Sequence, residues 1–298
     1  YRIERPEIHP PSTEHAGTVI SMRANWNTSM NLDQLYNSGA GSIDLGGNVQ
    51  VNSQRTEFDR SQMTGDDLRL EFIQSSDEDA SARELKKVIA RDSAQIEHRT
   101  WDVAYPDLPP VVYYIGGDHL EFDVITQEAL AVGDGELVLR DSRAPQNKVH
   151  QSAIAGRGTT RFTWDNKLKT TRITDVLNRI AMTGNVEMVH QGIDGGIGML
   201  TSDSMIAFAK DPNPEIAKDI GVSQLTFRAM DLQQINSIGN VYVATKTRKV
   251  DCDAFDYNLM TGIAQLSAND DKTVSPFDAQ PNNAHALELE PHHAAQKT

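Results

Sequence analysis

The strongest constraint on the fold is a five-residue unit, Gly-Asn-Val-x-apolar, that occurs three times: GNVQV from Gly47, GNVEM from Gly184 and GNVYV from Gly239. Two looser copies, one from Gly135 and one from Asp92, keep the same phase, so the five starts at 47, 92, 135, 184 and 239 lie 45, 43, 49 and 55 residues apart. A period of this size marks stacked supersecondary units, each too small to bury its own apolar face. Gly and Asn tolerate positive φ, and Asn can cap a neighbouring backbone group. The pair therefore suits a turn or bulge leading into a strand, with the following Val-x-apolar facing inward.

The unit is built from strands. Apolar residues alternate in Leu68-x-Leu70-x-Phe72, Leu120-x-Phe122, Leu137-x-Leu139, Phe162-x-Trp164, Leu225-x-Phe227 and Val241-x-Val243, the period of a strand with one buried face. Ala82 to Ile96 and Ile173 to Ile180 also space apolar residues three and four apart, as short helices do. Strands are favoured there because both segments run into the repeat. An aromatic followed by Asp or Asn recurs at Phe58-Asp59, Trp101-Asp102, Phe122-Asp123, Trp164-Asp165 and Tyr257-Asn258, which reads as a strand ending on a buried ring at an Asp-initiated hairpin.

Composition narrows the function classes. The 298 residues carry 28 Lys+Arg against 42 Asp+Glu, a formal charge of -14, which argues against broad phosphate-backbone binding and hence against nucleic acid. The single Cys252 makes no intrachain disulfide and builds no zinc site alone. No run reaches the ~18 apolar residues of a membrane helix, the notable stretch Val111 to Ile115 being strand-sized. The opening Tyr-Arg-Ile-Glu-Arg-Pro reads as a mature or excised segment whose targeting information lies elsewhere.

Four segments break the pattern and read as loops: Ser75 to Asp79, Ala104 to Pro110, the glycine-rich Gly192 to Gly198, and Asp211 to Ile220. The expected organisation is an extended N-terminal segment at 1–15, one set of strand units at 16–130, a second at 131–274 and a disordered tail at 275–298. The expected fold is all-β, with repeated antiparallel units forming one elongated open β-jellyroll or two stacked ones.

GNVYV, followed by the run from Lys249 to Gly262 (KVDCDAFDYNLMTG), resembles the repeat of the organic-solvent-tolerance (OstA-like) family, the lipopolysaccharide-transport proteins of the Gram-negative periplasm. IAMTGNVEM from Ile180 to Met188 resembles a second copy, and the likeness extends over about residues 40 to 270. The resemblance implies an open, twisted β-jellyroll whose sheets splay around an apolar groove for acyl chains, edge-strand stacking with like modules or membrane-anchored transport proteins, and a periplasmic or envelope location. The chain is longer than the small bridge protein of that family and carries insertions at 75–110 and 192–220.

A groove for acyl chains needs apolar area rather than a catalytic set, at ~0.8 kcal/mol per buried CH₂. The inward candidates are Val49, Val51, Leu70, Phe72, Ile96, Leu120, Phe122, Leu137, Leu139, Phe162, Trp164, Met182, Val186, Met188, Leu225, Phe227, Val241, Val243, Phe255 and Tyr257. The plain alternative is that these residues pack only against one another.

Other constellations carry less. Asp251, Asp253 and Asp256 lack calcium-loop spacing, and His98, His119, His150, His190 and the His292-His293 pair lack matched ligands, so no metal and no cofactor is expected. No nucleophile elbow, phosphate loop or zincin motif occurs, and an enzyme is not expected. The cations Arg161, Lys167, Lys169, Arg172 and Arg179, with Lys246, Arg248 and Lys249, form the one positive concentration, suited to anionic headgroups or simply to a solvated surface. The reading is a non-catalytic carrier of a glycolipid such as lipopolysaccharide. Its rivals are a structural strand-assembly module and a carbohydrate-active β-solenoid enzyme using Asp118, Glu121 and Asp123. An open jellyroll also exposes strand edges, expected at Gly47 to Phe58 and at Val241 to Tyr257, where proline at Tyr242 would remove an edge donor.

Overall fold

A computed structural model describes residues 21–34, 40–74, 83–102, 105–142, 157–210, 231–268 and 285–288. Among these, fifteen strands form one antiparallel sheet. They are β1 (Ser21–Asn25), β2 (Ser29–Gln34), β3 (Gly41–Thr56), β4 (Asp59–Gln74), β5 (Arg83–Thr100), β6 (Val111–Asp123), β7 (Glu128–Asp141), β8 (Gly158–Trp164), β9 (Lys167–Arg172), β10 (Leu177–Gly192), β11 (Ile197–Lys210), β12 (Asp231–Thr245), β13 (Lys249–Asn258), β14 (Ile263–Ser267) and β15 (His285–Glu288). The connectivity is a meander in which each strand pairs with the next. The two short pairs are strands broken in the middle: β1 and β2 lie along β3, and β8 and β9 share the space between β7 and β10. No helix occurs among the described residues, and both ambiguous segments resolve as β5 and as the β9–β10 turn running into β10.

The repeated Gly-Asn pair sits in the middle of long strands, where it makes a corner, rather than at their starts. Gly47 and Asn48 have φ of 86° and 48°, Asp92 and Ser93 both 56°, Gly184 and Asn185 88° and 42°, and Gly239 and Asn240 80° and 45°. The pairing register shifts at these places, between Gly46 and Val49, Thr183 and Val186, and Ile238 and Val241. Two successive left-handed residues turn an extended chain sharply, which L side chains resist. At Gly184 the corner is also crowded: a Cβ would lie 2.9 Å from the Asn166 nitrogen. The copy read at Gly135 has its corner two residues earlier, at Gly133 with φ of 87°. Gly135 does a different job, leaving room for the Trp164 indole to pack on its backbone.

The corners line up across the sheet, and the intervening strands place an aspartate at the same level: Asp66 on β4, Asp118 on β6, Asp165 between β8 and β9, Asp203 on β11 and Asp253 on β13. Asn185 Nδ2 donates to Asp165 Oδ2 at 2.6 Å, and Asn240 Nδ2 to both Asp203 carboxylate oxygens at 3.2 and 3.0 Å. This spine creases the sheet along its width into two leaves. Leaf A holds 29–34, 41–46, 67–74, 83–91, 119–123, 128–132, 167–172, 177–183, 204–210, 231–238, 254–258 and β14; leaf B holds the other halves.

Each leaf carries a long, mainly apolar ladder on its inner face. In leaf A, cross-strand pairs join Leu45, Leu68, Ala90, Leu120, Ala131, Leu168, Met182, Met205, Ser237, Phe255 and Leu266 in a single row. In leaf B the corresponding row runs Val51, Met63, Ile96, Ile115, Leu137, Phe162, Met188, Leu200, Val243 and Val250. At the usual interstrand spacing each row is roughly 45–50 Å long. Buried residues of both leaves belong to one contiguous core, so across the crease the leaves cover each other.

Several sequence expectations need adjustment. The boundary at 130/131 falls inside β7, whose pairing runs through it without a break. Residues 285–288, expected within a disordered tail, pair with β14 as β15. The Gly47 to Phe58 segment is no edge, since β1 pairs with residues 50–54 of it and the Asn27 amide donates to the Gly47 carbonyl, and Tyr242 is interior, paired with Thr201 on one side and Asp251 on the other. Among the described residues, leaf B ends instead at 249–252, because β14 pairs only with 254–258. The loops expected at 75–79 and 211–220, and the segment 1–15, lie outside the described residues.

Candidate lipid-binding interior

The predicted inward residues divide between the leaves. Leu70, Phe72, Leu120, Phe122, Met182, Phe255 and Tyr257 line leaf A; Val49, Val51, Ile96, Leu137, Leu139, Phe162, Trp164, Val186, Met188, Val241 and Val243 line leaf B. All are buried except Phe72 and Leu139, which are partly buried against the same core. Leu225 and Phe227 lie outside the described residues. Equally central residues stand outside the inward candidates, among them Leu168, Ile180, Leu200, Met205 and Ile235, all 0% exposed. Leu168 is masked in sequence by the charged Lys167 and Lys169 beside it, although that alternation is itself the signal of a half-buried strand.

Closure differs along the sheet. In the centre the inner residues of both leaves are fully buried, whereas at the N-terminal margin the leaf A ladders run out into solvent. Met30 pairs with Leu45 and Leu32 with Ile43, extending both inner rows by one strand, yet they are 53% and 58% exposed. Trp26, at the crease beside them, is also exposed. A shallow cavity of about 180 Å³ nearby is bordered by Asp33, Ser42, Arg69, Glu71, Phe72 and Lys86. It is smaller than the ~300–1,000 Å³ of ordinary ligand pockets.

Leaf B carries a polar row at its free rim, opposite the crease. Pairing joins His98, Tyr113, Leu139, Thr160 and His190 across β5, β6, β7, β8 and β10. Both histidines are buried, at 2% and 1% exposure. The His98 ring has hydroxyls on both sides, Ser61 Oγ 2.8 Å from Nδ1 and Thr100 Oγ1 3.0 Å from Nε2, with Asp59 Oδ1 3.4 Å from Nε2. His190 Nδ1 lies 2.9 Å from Thr160 Oγ1. Burial pushes the His190 imidazole down to about 4, against a smaller upward pull from Asp194. Burial likewise raises the Tyr113 phenol well above its ordinary range.

The carboxylates considered for carbohydrate chemistry are spread over three separate tasks. Asp118 belongs to the crease, Glu121 pairs with Lys87 and His119 on the outer face, and the Asp123 side chain accepts from the Ile125 and Thr126 amides to shape the β6–β7 turn. The hydrogen bond from Lys87 holds the Glu121 carboxyl below its usual value. Asp256 accepts from Gln234 and Asn236, and no group of three or more potential ligands gathers among the described residues. Three of the eight cations are ion-paired: Arg161 with Glu136, Lys169 with Glu128, Arg172 with Asp175. Exposed pairs of this kind contribute little to stability.

No protein-family model matches the chain, and no curated protein is significantly similar to it. The functional reading therefore rests on the folded sheet itself and on the repeat motif.

Proposed function

We propose that the protein is a periplasmic carrier or bridging module for an amphipathic glycolipid of the lipopolysaccharide kind, holding acyl chains between its two leaves. The observation that carries the reading is the pair of inner apolar ladders that cross the whole sheet and continue, at Met30 and Leu32, past the part the opposite leaf covers. An acyl chain entering at that margin exchanges water for apolar wall, at ~0.8 kcal/mol per methylene. Further in, it displaces leaf–leaf contacts that are already dry, so deeper insertion requires the leaves to part. The crease supports such a motion, because bending is concentrated in one line of left-handed residues.

Partners follow from the same architecture. The margins formed by β1 and β2 and by residues 249–252 of β13 offer backbone groups to strands of like modules or membrane-anchored transport proteins. Native mass spectrometry of gently purified protein, together with titration of a fluorescent fatty-acyl probe followed by Trp164 emission, tests the reading. Copurified lipid and saturable probe binding support it; a lipid-free protein that binds no probe refutes it and leaves the strand-assembly module.

A further inference from the structure

The rim of leaf B has a feature that neither core packing nor lipid carriage requires. Two histidines point inward from one cross-strand row, and their surroundings differ in charge. His98 has the Asp59 carboxylate within 3.4 Å as well as two hydroxyls. His190 has one hydroxyl, Thr160 on β8, and faces Gly198 on β11. Charged groups at that end of the leaf, among the described residues, include Asp194 on the β10–β11 turn, the Arg157–Asp141 pair flanking β8, and Lys246 and Arg248 on the β12–β13 turn that follows Gly198's partner Thr245. Asp194 is engaged in its own turn, accepting from the Gly196 amide at 2.9 Å. The inner residues of leaf A in these strands, Thr170, Ile180, Ala207 and Ala209, carry no charge.

We infer that the β8–β10–β11 rim of leaf B is a proton-operated clasp: an imidazolium at His190 cannot stay between the leaves, so acid opens this rim, while the carboxylate-backed His98 end stays shut. A charged imidazole in that position loses water and gains no directly contacting counter-charge among the described residues, so it escapes by swinging to solvent and lifting the hairpin end with it. Sealing at neutral pH is supported by the same burial, which favours the neutral ring. That opening exposes the inner face to an amphiphile rests on the carrier reading; the opening itself does not.

Amide hydrogen exchange on the intact chain, compared at pH 7 and pH 5 and corrected for intrinsic exchange, tests the clasp without any lipid. For a histidine held near 4 when closed and ordinary when open, the open population at 158–164 and 186–192 should rise about twentyfold over that interval, with little change at 94–100. His190→Gln, neutral at both pH values, should abolish the rise, and His98→Gln should leave it intact. Proton NMR of the wild-type ring adds a readout that needs no variant: titration of His190 near its ordinary value, or equal exchange at both pH values, overturns the clasp. A fatty-acyl probe that fails to bind at either pH while the exchange difference persists would instead refute the carrier reading alone.

Discussion

Phe162, Met188 and Leu200, in the centre of leaf B, are 0% exposed, while Met30 and Leu32, on the same kind of inner ladder at the N-terminal margin of leaf A, are more than half exposed. Strand pattern and register are equivalent in the two regions; what differs is the presence of an opposing leaf. Burial in this fold is thus a property of leaf–leaf contact, not of any one strand, and an apolar ladder without its cover is a wall awaiting something apolar. In the centre the cover is the protein itself.

The comparison breaks most severely under a charge. Phe162→Asp or Met188→Asp places an unpaired carboxylate in the sealed centre and should cost several kcal/mol in a denaturant melt, up to loss of the folded state. Leu32→Asp, with solvent at hand, should cost under about 1 kcal/mol. Similar costs at both places would mean that the margin is covered in solution.

The next effect in size comes from pH. The His190 pKa falls from 6.5 in the unfolded chain to about 4 in the fold, so the unfolded state binds the extra proton. Stability is therefore fully present above pH 6.5, declines as pH falls, and levels off below 4, with a total loss on the order of 3 kcal/mol. Chemical denaturation at a series of pH values should show that decline, and His190→Gln should flatten its His190 share. A decline of unchanged size in the variant would assign the whole effect to other groups.

The crease comes third. Gly184→Val puts a branched side chain at φ of 88° and against Asn166, which should cost roughly 1–3 kcal/mol. Asn185→Ala removes the 2.6 Å bond to Asp165 at the exposed spine and should cost less, about 0.5–1.5 kcal/mol. Thermal melts that leave both variants at wild-type stability would show that the crease does not need its left-handed corner.

The period-two pattern made the all-β class and most of the inner rows legible, because alternation and burial are coupled through strand geometry. The corners were half legible. Gly-Asn marked a special backbone position, but a turn before a strand and a bend within one use the same residues, and only pairing partners distinguish them. On the intervening strands the apolar phase slips by one residue at the crease, Met63 then Leu68, Leu200 then Met205. Read as a break between strands, that slip conceals a continuous one. The histidine row was illegible, since His98 and His190 are 92 positions apart and meet one row only through four consecutive registers.

The smallest expected change in stability separates packing from binding most sharply. Met30→Ser together with Leu32→Ser removes the uncovered ends of both leaf A ladders. Since each residue keeps less than half of its surface buried, the pair should shift unfolding free energy by less than about 1 kcal/mol. A bound acyl chain that starts at this margin would lose contact with both side chains, on the order of 1–2 kcal/mol, and its affinity should drop roughly tenfold. Titration of a long-chain fluorescent fatty acid against wild type and double variant reads that difference directly. If affinity is unchanged while stability holds, the chain enters elsewhere, and the opening rim of leaf B becomes the route to examine. If affinity falls and stability holds, the uncovered ladder is the entrance, and the contrast between a sealed centre and an open margin is what lets the fold take up an acyl chain.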